Sequence, residues 1–92
     1  MYTINETLAY VAELDKWGGL IDQWQVEGRT AIVWSEEVEN KHGPDVWRTA
    51  YVVRYWEDGK WLDTKFFTEE WAATEFARDF ANKPNRFPYP TD

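Results

Sequence analysis

Apolar residues near the N-terminus recur at the spacing of a helix. Four of them return every three or four positions: Ile4, Leu8, Val11 and Ala12. Thr3 and Glu6 have the spacing of a capping box, in which two side chains satisfy free backbone amides. Gly18 and Gly19 favour an end to the helix. The pattern therefore predicts an N-terminal helix, with a strand over residues 8–14 as the alternative.

Two segments rich in β-branched and aromatic residues follow, over residues 20–27 and 30–38. Trp24 and Val26 alternate in the first segment, and Ile32 and Trp34 share a face in the second. Gly28-Arg29 separates the two segments, which predicts a hairpin that turns there. Residues 39–45 are polar and typical of a loop.

The strongest turn signal is Asp58-Gly59, between residues 46–56 and 60–67. A two-residue turn there pairs Trp56 with Trp61 and Tyr55 with Leu62. One face of this hairpin then holds a mainly apolar set: Trp47, Tyr51, Val53, Tyr55, Leu62, Thr64 and Phe66. The other face holds a mixed set: Arg48, Val52, Arg54, Trp56, Trp61, Asp63 and Lys65. We predict that the first face is the core and that the second meets solvent.

The last periodic segment predicts a helix after Thr68, with an apolar stripe that packs on the core face: Ala72, Ala73, Phe76, Ala77 and Phe80. The predicted fold is α+β, an antiparallel sheet of about four strands in two hairpins with an N-terminal and a C-terminal helix. We expect a single domain over residues 1–84 and an extended, proline-containing tail over 85–92.

Charge narrows the choice of function. The net charge is −7. Residues 1–45 hold nine acidic side chains against three basic ones, and residues 46–92 hold eight against seven. An acidic surface repels nucleic acids and anionic membranes, so we expect a protein partner, with direct nucleic-acid binding unfavourable.

The composition also bears on location and chemistry. The chain has no cysteine and no apolar run near the ~20 residues that span a bilayer, so a cytoplasmic location without membrane contact is expected. Ser35 is the lone serine, and His42, the lone histidine, lies in the polar loop. Nucleophilic catalysis needs an activated side chain beside a base. We therefore predict no enzyme, no metal site and no cofactor.

Aromatic and basic residues of the third and fourth strands form the first candidate binding surface. Trp56, Trp61, Arg48 and Arg54 share the predicted outer face, and Trp and Arg dominate binding hot spots. The alternative is that the first helix covers this face and the two indoles stabilise the hairpin. Trp71 lies off the apolar stripe of the last helix, where it either covers the sheet edge or serves as an exposed anchor.

Carboxylates of the N-terminal half form the second candidate surface. Glu36, Glu37 and Glu39 are close in sequence, although strand alternation sends Glu36 and Glu37 to opposite faces. Rows of carboxylates can imitate nucleic-acid phosphates and occupy a basic groove. The alternative is a solvated edge that discourages strand addition.

A small, acidic, cysteine-free α+β domain with surplus aromatics resembles the phage and mobile-element proteins that block host defence nucleases, anti-CRISPR and anti-restriction proteins among them. This resemblance implies an inhibitor that docks on a nucleic-acid-handling protein. An immunity protein against a toxin nuclease is one alternative, because charge complementarity would also speed that association. The other is a nucleic-acid-binding module that uses the Trp56, Trp61, Arg48 and Arg54 face.

Overall fold

The computed structural model describes residues 2–39 and 47–82. Its elements follow in chain order: α1 (Ile4–Ala12), a 3₁₀ helix (Asp15–Trp17), β1 (Gly18–Val26), β2 (Arg29–Glu39), β3 (Trp47–Glu57), β4 (Lys60–Phe67) and α2 (Glu70–Asn82). The four antiparallel strands form one sheet in the order β1-β2-β3-β4. The predicted α+β architecture is confirmed. The expected loop, apart from Glu39, and the expected tail over 85–92 lie outside the described residues.

The N-terminal helix is built as the sequence predicts, with Thr3 as its cap. The Glu6 amide donates to Thr3 Oγ1 at 3.0 Å, and the Thr3 amide donates to Glu6 Oε1 at 3.3 Å. The predicted stop is displaced, because α1 already ends at Ala12 and the two glycines begin β1. A Cβ on Gly18 would overlap the carbonyl group of Ser35 on β2. Gly18 therefore permits close approach of two strands.

Both hairpins turn on residues with positive φ. The first turn lies at Glu27-Gly28, with φ of 48° and 85°, which is one residue earlier than the predicted turn at Gly28-Arg29. The second lies at Asp58-Gly59, as predicted, with φ of 53° and 80°. Left-handed backbone of this kind suits a two-residue hairpin turn and favours glycine at the second position.

A β-bulge changes the register of the second hairpin. Trp56 pairs with Trp61 as predicted, but Tyr55 pairs with Asp63 and leaves Leu62 as the extra residue of β4. The predicted pairing of Tyr55 with Leu62 is therefore wrong. Beyond the bulge every β4 side chain changes face, so Thr64 and Phe66 lie opposite to the predicted side. A similar shift at Ile21 interrupts the pairing of β1 with β2.

Each face of the sheet is covered by one helix. Under α2 lies a core of buried residues: Ala31, Val33, Val53, Ala73 and Ala77. Tyr51, Tyr55, Phe76 and Phe80 pack around it, so the last helix lies on the predicted core face. Under α1 lies a second core: Val11, Ile32, Trp34, Ala50, Val52 and Trp56. The prediction that this second face meets solvent is wrong, because α1 covers it.

Candidate interaction surfaces

Trp56 is part of the core beneath α1. Its side chain is 0% exposed, and its Nε1 donates to the carbonyl oxygen of Tyr2 at 2.9 Å. The prediction of Trp56 as an outward anchor is therefore wrong. The alternative, in which the first helix covers this face, describes the structure.

Trp61 lies opposite Trp56 and is half-buried. Its Nε1 donates to Thr64 Oγ1 at 3.2 Å, and its ring meets Tyr2 edge to face at 5.1 Å between centroids. Tyr2 thus contacts both tryptophans of the pair. The indoles hold the start of the chain against the hairpin rather than form an open surface.

Arg54 lies between the sheet and α1. Its Nε donates to Thr64 Oγ1 and its Nη1 to Thr7 Oγ1, each at 3.0 Å. The guanidinium group lies 3.7 Å from the ring centre of Tyr2 and 5.1 Å from that of Trp34. Burial lowers the pKa of Arg54. Within the described ranges no carboxylate oxygen lies within 4.0 Å of it, so its direct contacts are hydroxyls and rings, while the charge of Glu36 acts on it from further away.

Arg48 shares the face of Arg54 on β3 but is exposed. Arg54 is six positions further along the strand, which is about 20 Å. The four residues predicted as one surface therefore divide, with Trp56 buried, Trp61 and Arg54 half-buried, and Arg48 alone at the far end.

Tyr2, Tyr10 and Phe66 are exposed around Arg54 and line a cleft of about 330 Å³. The Tyr10 hydroxyl donates to Glu36 Oε1 at 2.7 Å. Burial, followed by this hydrogen bond and the charge of Glu36, raises the pKa of Tyr10 to about 12. The cleft therefore carries a neutral phenol, a half-buried guanidinium group and a carboxylate that is already engaged.

The acidic residues of β2 do not form one surface. Glu36 lies on the α1 side and accepts from Trp34 Nε1 at 2.8 Å as well as from Tyr10. Glu37 lies on the other side and accepts from Thr49 Oγ1 at 2.9 Å. The predicted separation onto opposite faces is confirmed. Glu39 ends β2, and its side chain lies outside what the structure describes.

Trp71 lies on the first turn of α2 and is 67% exposed. Of the two predicted roles, the exposed position is the one observed. Glu70 and Glu75 are exposed beside it, and Glu75 is on the same side of the helix at the i+4 position. We define Glu70, Trp71 and Glu75 as the α2 outer surface. It presents one large exposed ring with two exposed carboxylates, and the exposed Arg78 lies one turn further along the same side of the helix.

A groove of about 600 Å³ lies on the α2 side of the sheet, where β2 ends and β3 begins. It is lined by Lys16, Trp17, Glu37 and Trp47. We call it the indole groove. Its two tryptophans are each 60% exposed. The prediction that Trp47 belongs to the core is therefore wrong. The thirteen residues of α2 extend about 20 Å, whereas the eleven residues of β3 extend about 37 Å, so the helix cannot cover the whole face.

Trp17 is a groove residue that the sequence patterns do not single out. It lies in the 3₁₀ helix between the end of α1 and β1, where neither helical nor strand periodicity assigns it a face. The sequence does contain a signal that could have identified it. A tryptophan outside both periodic patterns has no predicted core partner, which indicates an exposed ring. The side chain becomes a wall of the groove only through strand pairing, which brings Gly18 opposite Glu36.

Comparison of the chain with protein-family models, with curated proteins and with solved structures finds no match. Among residues 2–39 and 47–82, no three His, Cys, Asp or Glu side chains converge where a metal ion could bind. Neither helix in that part of the chain is long and apolar enough to cross a membrane. The exposure and charge of the surfaces are therefore the features that bear on function.

Proposed function

We propose that this protein is a non-enzymatic inhibitor that docks on a basic, nucleic-acid-handling protein in the cytoplasm, of the kind that mobile elements direct against host defence nucleases. The observation that carries the proposal is the α2 outer surface. A tryptophan that is 67% exposed stands there, with two exposed carboxylates, Glu70 and Glu75, on the same helix. Tryptophan is enriched in binding hot spots, and carboxylates favour a partner with basic residues around an apolar pocket.

The inward position of two arginines supports the same proposal. The Arg29 side chain is 11% exposed, and its Nη1 donates to the carbonyl oxygen of Phe80 at the end of α2, at 3.1 Å. Arg54 lies half-buried beneath α1. Two of the ten basic side chains are thus withdrawn from the surface of a chain whose net charge is already −7. Neither guanidinium group is freely available to a nucleic acid, and the net charge of the chain favours a basic partner.

Direct nucleic-acid binding, the alternative, is disfavoured because the residues that it would use are not exposed together. Bases would have to stack on Trp56 and Trp61, but the first is buried and the second is half-buried against Tyr2. Arg54, which would contact phosphates, already donates to two threonines. A fluorescence polarisation titration with single-stranded and double-stranded DNA and RNA at low salt is expected to show no saturable binding.

The test of the proposal is an inhibition assay with a panel of purified nucleases of defence systems, namely CRISPR effectors and restriction enzymes, and of toxin nucleases. Inhibition of a defence nuclease supports the proposal, and inhibition of toxin nucleases alone would indicate an immunity protein instead. Trp71→Ala is expected to weaken the complex by about 30-fold, as for a hot-spot residue. Its melting temperature should stay close to that of the wild type, because the ring is mostly exposed.

The matched control is Phe66→Ala, which removes a ring that is 65% exposed on the opposite side of the sheet. It should leave inhibition unchanged. Equal losses for the two variants would remove the α2 outer surface from the proposal. Full nuclease activity across the panel in the presence of excess wild-type protein would overturn the proposal itself.

A further inference from the structure

The indole groove combines two exposed rings with one carboxylate. Trp17 and Trp47 are its walls, and Glu37 is the acidic residue among its lining side chains. Within the described residues the two indoles make no ring contact with each other, and both line the same groove. The groove is therefore more than an apolar patch, because it holds a fixed negative charge.

Glu37 has unused capacity as a hydrogen-bond acceptor. Its Oε2 accepts from Thr49 Oγ1, and in the described part of the chain no Lys or Arg nitrogen lies within 4.0 Å of it. A carboxylate can accept several hydrogen bonds, and a half-buried one gains most from a cation that shares its environment. The charge of Glu37 therefore selects for a cation in the groove.

The walls favour the same charge. An indole ring attracts a cation over its face, more strongly than the other aromatic rings do. Lys16 shows this in the groove itself, since its Nζ lies 5.2 Å from the centre of the Trp17 ring. Lys16 nevertheless makes no ion pair with Glu37, so among the described residues no cation engages the carboxylate or Trp47.

We propose that the indole groove binds an arginine side chain of a protein partner, with the guanidinium group against the indoles and a hydrogen bond to Glu37. Arginine is favoured over lysine because its guanidinium group is planar, stacks on aromatic rings and is less strongly hydrated than an ammonium group. The identity of the partner rests on the proposed function, since a basic protein supplies arginines. The preference of the groove for arginine does not rest on the proposed function, and short peptides test it separately.

The experiment is an NMR titration of the full chain with a blocked Gly-Arg-Gly peptide. The observed signals are the indole N–H resonances, assigned by Trp17→Phe and Trp47→Phe. Both groove signals are expected to shift saturably. Peptides with lysine or the uncharged norleucine in place of arginine should bind more weakly, the norleucine peptide by about three- to tenfold, which is the scale of a partly desolvated cation–π contact.

Matched variants separate the groove from general charge attraction. Glu37→Gln keeps an acceptor for Thr49 and should weaken binding of the arginine peptide by about three- to tenfold, on the scale of a hydrogen bond to a charged group. Glu75→Gln removes the same charge from the α2 outer surface and should have little effect. Trp47→Ala should weaken binding where Trp71→Ala does not. Lys16→Met should strengthen binding, because it removes a competing cation.

Three results would overturn the inference: no saturable shift, equal affinity for the arginine peptide and either of the other two, or equal losses in Glu37→Gln and Glu75→Gln. The melting temperature of each variant shows whether it is folded, and Trp47→Ala is expected to fold because its ring is mostly exposed. Failure of the nuclease assays would leave the peptide result standing, so the two proposals fail separately.

Discussion

The guanidinium group of Arg54 lies 3.7 Å from the ring centre of Tyr2, so a charged side chain of β3 packs against the residue that precedes the cap of α1. The same group donates to Thr7 on α1 and to Thr64 on β4. Thr7 is fully buried and in turn donates to the carbonyl oxygen of Thr3, the cap of α1. One side chain thus joins two strands, a helix and the helix cap.

Replacement of Arg54 by Met should therefore destabilise the fold. The change removes two hydrogen bonds from a charged donor and a cation–π contact, and the expected loss in the free energy of unfolding is about 2–4 kcal/mol. Urea denaturation followed by circular dichroism measures it. Arg48→Met, at an exposed position of the same strand, should stay within about 0.5 kcal/mol of the wild type. Equal stability of the two variants would mean that α1 does not rest on Arg54.

The two adjacent glycines of β1 should respond in opposite ways to alanine. Gly18→Ala brings a Cβ into the backbone of Ser35 and is expected to cost about 1–3 kcal/mol or more, as overpacking does. Gly19→Ala meets no atom within 4 Å and should be neutral or stabilising by up to about 1 kcal/mol, because it reduces the freedom of the unfolded chain. Thermal denaturation of both variants decides the matter. Similar melting temperatures would contradict the close approach of β1 to β2.

Tyr10 predicts a loss of stability at high pH. Its pKa is raised from 10.0 to about 12, first by burial and then by the hydrogen bond to Glu36. The folded state therefore favours the protonated phenol. This contribution is complete below pH 10 and is lost as the pH rises from 10 to about 12.

Tyr10→Phe should accordingly be less stable than the wild type at about pH 8, with a difference that shrinks above about pH 10. Urea midpoints at about pH 8, 9.5 and 11 measure this trend. Glu36→Gln removes a charge that raises the pKa of Tyr10. The tyrosinate absorbance contributed by Tyr10, taken as the difference from the same protein with Tyr10→Phe, should therefore rise at lower pH in that variant. A difference that stays constant over the whole pH range would contradict the assignment.

Local signals account for most of the fold. The capping residues Thr3 and Glu6 locate α1, and the Asp58-Gly59 pair, which accepts positive φ, locates the second turn. Alternation along β3 identifies Tyr51, Val53 and Tyr55 as the face beneath α2. These features depend on residues that are neighbours in sequence, so the amino-acid order is enough to reveal them.

The candidate sites depend on longer-range relationships. The extra residue at Leu62 obeys no turn rule, and it alone moves Phe66 from the predicted core to an exposed position. The cover over Trp56 comes from a helix more than forty residues away in sequence, so the hairpin pattern could not reveal it. The exposed position of Trp71 could be predicted as one of two alternatives, because its place outside the apolar stripe is a local property of α2.

The bulges at Ile21 and Leu62 both lie on outer strands, β1 and β4. A foreign strand laid against either border would lose its hydrogen-bond repeat where the extra residue stands, which discourages both β-augmentation and edge-to-edge aggregation. We therefore expect any partner to bind through side chains rather than through the strand edges. Recognition will accordingly be sensitive to single substitutions at the points of contact.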